Sequence, residues 1–203
     1  AHAPQYCNRG LGMDKELLPW LETYTFPEEA KFSDSDYARL VYGAFVQDLW
    51  RNGTTRSILF GTIHKESTLV LMELLQKAGL SAYVGKVNMD RNSPEFLIED
   101  THQSLADTKE WLEASAQFGP LVKPIITPRF VPSCTSELMS GLGNLAQAYN
   151  VPVQSHLSEN HGEIDWVAAL HPEAANYTDV YYEHHLMGKV PTVMAHCIHL
   201  SDV

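Results

Sequence analysis

The stretch VPVQSHLSEN, residues 151–160, begins with β-branched and apolar side chains and then turns polar, with His156 and Glu159 three positions apart. Read as a strand, Val151 to Ser155 lacks the strict alternation of a half-buried sheet and suits a strand covered on both faces. Runs of the same character occur at Thr55 to Phe60, Ala82 to Val87, Leu121 to Thr127 and Thr192 to Ala195. Between them the sequence predicts helices over Asp36 to Arg51, Ser67 to Lys77, Thr101 to Phe118, Ser136 to Tyr149, Glu163 to Leu170 and Thr178 to Met187. In the first of these, Leu40, Val41, Ala44, Phe45 and Leu49 recur at helical spacing, acidic residues open the segment and Gly53 follows its end. Such a βα series allows either an open doubly wound sheet or a (β/α)8 barrel cut short.

The ends of the strands separate the two. Asn88-Met89-Asp90, Pro128-Arg129-Phe130, His156-Leu157-Ser158-Glu159 and His196-Cys197 each follow or close an apolar run with polar or reactive side chains. In barrels all carboxyl ends of the strands converge on one mouth, so functional groups on several ends favour the α/β barrel of TIM type. No Gly-rich phosphate loop follows any strand, which removes the main support for a dinucleotide-binding sheet.

Composition bounds the function. A chain of 203 residues with 44% hydrophobic content has enough apolar material for one sizeable core or for part of a larger barrel. The net charge of −11, with only 14 Lys and Arg scattered along the chain, argues against a nucleic-acid backbone as partner. The apolar runs are too short to span a bilayer and the start does not read as a signal peptide, so a soluble, cytoplasmic protein is expected. Cys7, Cys134 and Cys197 fit no metal-ligand spacing and are expected to be reduced thiols, mostly buried as small side chains.

Of the ten histidines, His102, His171, His184 and His185 fall in polar helical or turn context and are expected at the surface. His156 and His196 terminate apolar strands, and taken singly each is as consistent with a satisfied core histidine as with a ligand. Together they match the usual catalytic zinc arrangement, in which neutral imidazoles leave one coordination position open for water. Glu159, just beyond its strand, is placed to exchange protons with such a water, although a carboxylate favoured by a helix start reads equally well.

Several segments carry a resemblance that runs the length of the chain: His2-Ala3-Pro4-Gln5-Tyr6, Asn52-Gly53-Thr54-Thr55, Gly85-Lys86-Val87, Thr127-Pro128-Arg129-Phe130, Gln154 to Asn160, and Met194-Ala195-His196. In this combination the sequence resembles the guanine deaminase family of the amidohydrolase superfamily. The resemblance implies a (β/α)8 barrel holding one divalent metal, usually zinc, that hydrolyses guanine to xanthine and ammonia in purine catabolism, and it implies a homodimer. It gives His2, His156 and His196 as metal-site residues, with His196 acting beside the metal and its water. Glu159 becomes the proton shuttle of a His-x-x-Glu motif, and Gln5, Arg129, Phe130 and His156 become substrate contacts. The chemistry of the side chains agrees, since Arg offers planar donors to a purine carbonyl and Gln both a donor and an acceptor to a ring edge.

The family's first His of the His-x-His pair would precede Ala1, and its strand-eight Asp ligand would lie beyond Val203. The expectation is therefore an internal piece, about strands one to six of a single barrel domain over residues 1–203. Two other readings share these residues: a deaminase or chlorohydrolase acting on another heterocycle, and a catalytically inactive binding or scaffold fragment. A cysteine-ligated zinc deaminase is excluded, because the chain has no Cys-x-x-Cys.

Overall fold

The computed structural model describes residues 1–200. In chain order its helices are α1 (Leu17–Trp20), α2 (Phe26–Ala30), α3 (Ser35–Arg51), α4 (Lys65–Ala78), α5 (Thr101–Ser115), α6 (Ser136–Tyr149), α7 (His161–Leu170) and α8 (Tyr177–Glu183). Its strands are β1 (Arg56–Phe60), β2 (Ser81–Gly85), β3 (Val87–Asn88), β4 (Val122–Pro124), β5 (Thr127–Pro128), β6 (Val153–Leu157) and β7 (Thr192–His196). The chain divides into two compact units, residues 1–87 with 110–124, and residues 88–109 with 125 onward.

The first unit is a parallel sheet in the order β1-β2-β4, with Ile58 opposite Tyr83 and Val84 opposite Pro124. The helix α4 buries Val70, Leu71, Met72 and Leu75, and ends on Gly79 in the left-handed conformation that glycine adopts without strain. Beyond β1 the backbone turns at Gly61, where a Cβ would stand 2.9 Å from Gly85 O, so only glycine lets the two strand ends approach this closely.

The helix α3 begins where its cap dictates: the Asp34 carboxylate accepts from Asp36 N (2.8 Å) and Tyr37 N (3.3 Å). Its buried stripe is Ala38, Val41, Tyr42, Phe45 and Val46, whereas Leu40 is 73% exposed. The stripe read from the sequence was thus rotated, because Tyr42 outweighs Leu40 once its ring has a core to enter. The segment before α3, unassigned from the sequence, is a succession of short helical turns from Pro4 to Ser33.

The second unit holds the parallel pair β6-β7, the bridge of Ile126 to Val153, and Asn88 of β3 beside β5. All five residues of β6 are buried, but β7 is not covered on both faces as expected: Val193 is 43% exposed. Among the described residues β7 pairs with β6 alone, so it is an edge strand there. The helix α6 spans the predicted range, capped by the Thr135 hydroxyl and closed by Asn150 at φ 50°. The helix α8 stops at Glu183, short of Met187, because His185 turns left-handed at φ 58°.

His171 is a correction. Expected at the surface, it is 4% exposed, since it closes α7 by donating its backbone N–H to Val167 O, with its ring edge-on to His184. The cysteines also differ from expectation, because Cys134 is buried but Cys7 is exposed and Cys197 only partly covered.

A Cβ on Gly143 of α6 would meet His184 O at 2.1 Å, a backbone atom that has no rotamer to escape into. Gly143→Ala should therefore destabilise the fold by about 1–3 kcal/mol despite the better helix propensity of alanine. Urea unfolding checks this, and an unchanged or raised midpoint would show that the 184–185 turn yields.

Candidate active site

The carboxyl ends of β6 and β7 lie side by side, with His156 opposite Ala195 and Leu157 opposite His196. Past these ends the chain ties itself together: Cys197 N donates to Leu157 O (2.8 Å), and Ile198 N and His199 N both donate to Ser158 O (3.1 Å). Ser158, His196 and Cys197 hold positive φ of 52°, 72° and 53° without being glycine. Left-handed non-glycine residues carry strain of order 1 kcal/mol each and cluster where backbone is held for a purpose.

The imidazoles of His156 and His196 are stacked with centroids 5.5 Å apart. His196 Nε2 lies 3.4 Å from Glu159 Oε2. His156 Nδ1 lies 2.7 Å from Arg129 O. A carbonyl oxygen only accepts, so Nδ1 carries the proton and the lone pair sits on Nε2, the tautomer in which an imidazole can bind a metal through Nε2. Burial holds the His156 pKa down at about 3, which keeps the ring neutral. Burial also raises the Glu159 carboxyl, the nearby His196 opposing this, and a raised carboxyl is suited to accepting a proton.

The helix-start role that competed for Glu159 is taken by its neighbours. Asn160 is the N-cap of α7 and Glu163 completes a capping box, with Glu163 Oε2 accepting from Glu159 N (2.9 Å) and Asn160 N (3.3 Å). Arg129 and Phe130 follow β5 and are buried, the Phe130 ring edge-on to Trp166 at 6.4 Å. Asp90, at another strand end singled out in the sequence, is engaged structurally, accepting from Thr135 N (2.7 Å) and Thr101 Oγ1 (2.7 Å).

The second unit thus brings together Arg129, Phe130, His156, Glu159 and His196. His2 and Gln5 belong to the first unit. Residues 1–3 bridge in parallel to the end of β1, with Ala3 N donating to Phe60 O (3.0 Å) and the His2 ring stacked on Phe60 at 4.4 Å. Gln5 sits in the turn Pro4–Asn8.

Sequence reasoning missed Ser155, Glu163, Tyr177 and Tyr181, all buried around these groups. The pattern Asn160-x-x-Glu163 was a readable capping signal, whereas nothing local marks the two tyrosines.

Among the described residues no group of three or more His, Cys, Asp or Glu is arranged to hold a metal. His156 and His196 present two imidazoles at adjacent strand ends, and the neutral, Nδ1-protonated state of His156 fits a divalent metal.

Parallel βα units with imidazoles and a carboxylate at the strand ends are the parts of a TIM-type α/β fold, and the chain belongs to the amidohydrolase family, which it matches over residues 1–203. Its sheets are those of that fold, although among the described residues the strands form separate sheets and not a closed barrel. The chain is 51% identical to the guanine deaminase of Dictyostelium discoideum over 100% of its own length and 45% of the relative's. It superimposes on the crystal structure of guanine deaminase from C. acetobutylicum with bound guanine, with a TM-score of 0.98 and 57% identity, covering 100% of this chain and 48% of that one. The E. coli guanine deaminase structure matches with a TM-score of 0.90 and 38% identity, covering 98% and 46%. The chain therefore spans less than half the length of the relatives it matches. No helix among the described residues is long and apolar enough to cross a membrane.

Proposed function

We propose that the protein to which this chain belongs hydrolyses guanine to xanthine and ammonia with the help of one divalent metal ion, zinc being the expected one. The observation that carries this reading is Glu159 Oε2 set 3.4 Å from His196 Nε2 at the ends of paired strands, beside the neutral ring of His156. The guanine deaminase relatives, one of them a complex with guanine, support the substrate.

His156 and His196 would hold the metal. When bound, a divalent metal lowers the pKa of its water from about 15.7 to about 7 and so supplies a nucleophile at neutral pH. Glu159 takes a proton at its carboxylate and returns it to a purine ring nitrogen, which makes the amino-bearing carbon electrophilic. After hydroxide adds at that carbon, Glu159 takes the proton of the new hydroxyl group and passes it to the amino nitrogen. Ammonia leaves with the electron pair of the broken C–N bond as the hydroxyl oxygen becomes the new carbonyl of xanthine. Arg129 holds the purine carbonyl, and Phe130 and His156 flank the ring. The working state we propose is a cytoplasmic homodimer.

Ammonia release from guanine, set beside a panel of other aminated and chlorinated heterocycles, tests the reading on the full-length protein. A better substrate in that panel would replace guanine, and no turnover with metal bound would point to the scaffold reading. Within the site, Arg129→Lys should weaken guanine binding by about 10–100-fold, because an ammonium cannot reproduce the planar fork and a hydrogen bond to a charged group is worth about 1.5–3 kcal/mol. The rise should appear in KM while metal content stays at the wild-type level.

A further inference from the structure

We propose that Tyr177 and Tyr181, one turn apart on α8, are positioning residues for two different parts of the active site: Tyr181 fixes the metal-binding strand, and Tyr177 fixes the turn that carries Glu159. The inference rests on the proposed guanine hydrolysis at this same site.

The Tyr181 hydroxyl, fully buried, donates to His156 O (2.7 Å) and lies 2.8 Å from Ser155 Oγ. Ser155 Oγ is in turn 2.7 Å from Pro128 O and 3.2 Å from Arg129 O, the carbonyl that also orients His156 Nδ1. The phenol thus holds the peptide of the imidazole donor, while the adjacent Ser155 hydroxyl donates to the backbone that selects its tautomer. The Tyr177 hydroxyl donates to Glu163 Oε1 (2.7 Å), while Glu163 Oε2 accepts the backbone N–H of Glu159 and Asn160. The phenol therefore fixes the rotation of a buried carboxylate whose other oxygen sets the backbone of the proton shuttle. The two rings stack at 5.7 Å, so one short helix presents both hydroxyls from a rigid pair.

Ordinary core packing is the competing account, since aromatic pairs with satisfied hydroxyls fill many interiors. The two roles differ in what they predict. Replacing either tyrosine by phenylalanine keeps the ring and removes one oxygen, so packing alone predicts equal and small effects on both variants. Positioning predicts a split. Tyr181→Phe should lower zinc affinity by about 10–100-fold, the usual effect of losing a hydrogen bond that orients a ligand, with kcat close to wild type once zinc is saturating. Ser155→Ala should move zinc affinity in the same direction. Tyr177→Phe should keep wild-type zinc affinity and guanine KM but lose about tenfold or more in kcat, because a misplaced acid–base group costs turnover and not binding.

The experiment is zinc titration against a competing chelator, together with steady-state ammonia release from guanine, on the full-length protein and these variants. Tyr182→Phe, on the same helix but 57% exposed, is the control and should match wild type in both measurements. Parallel losses in the two tyrosine variants, or no change in either, would overturn the proposal. A wild type that binds zinc but releases no ammonia from guanine overturns the assigned reaction and the Tyr177 half with it, while zinc affinity still decides the Tyr181 half.

Discussion

Glu159→Gln should leave zinc and guanine bound and remove nearly all turnover. The substitution preserves side-chain length and one carbonyl oxygen, so the contact towards His196 Nε2, 3.4 Å away, can persist as a hydrogen bond. What it removes is the capacity to take up and return a proton. General acid–base groups contribute about 10²–10⁴-fold, and a carboxylate that, in the proposed reaction, serves the ring nitrogen and then the leaving nitrogen belongs at the upper end. Fold stability should change little, because the helix start depends on Asn160 and Glu163 and the Glu159 side chain plays no part in that cap. Ammonia release and metal analysis on the same sample check both claims. Near-normal turnover with zinc bound would remove Glu159 from the proton pathway.

Much of this site was legible because it lies on strand ends, where a change from apolar to polar residues shows in a single sequence. His156 and Glu159 were visible as the polar end of a β-branched run, and Arg129 and Phe130 as the continuation of another. The helices were legible where caps are spelled out, as with Thr135 before α6 and Asn150 after it. Legibility failed where tertiary context decides. The choice between Leu40 and Tyr42 for the buried face of α3 needs a partner surface that helical spacing alone does not supply. His171 sits in a polar stretch and is nonetheless buried, because the end of α7 packs its ring against His184. Tyr177 and Tyr181 act through hydroxyls on residues 14 and 25 positions earlier, a separation at which no local pattern signals contact. Roles that depend on long-range hydrogen bonds are the ones a sequence conceals.

His156→Ala should abolish both metal retention and turnover in the full-length protein, and the reasons lie in how the ring is held. Its Nδ1 is committed to Arg129 O at 2.7 Å, so the ring is oriented before any metal arrives, and removing it deletes a preorganised donor. The carbonyl left behind keeps Ser155 Oγ at 3.2 Å, so the loss falls on metal chemistry more than on backbone satisfaction. The same burial makes a pH prediction for the metal-free protein. The folded-state pKa of His156 is about 3 against an ordinary value of 6.5, so as pH falls below 6.5 the unfolded chain takes up a proton that the folded one refuses. Stability is therefore intact above about pH 6.5 and declines as pH falls towards about 3, with this one group contributing up to about 1.4 kcal/mol per pH unit. Denaturant unfolding of wild type and His156→Ala, both stripped of metal, should show a steeper loss in wild type across that window. Equal slopes would mean that the imidazole is hydrated in the folded state, and zinc retained at full stoichiometry by His156→Ala would remove His156 from the ligand set.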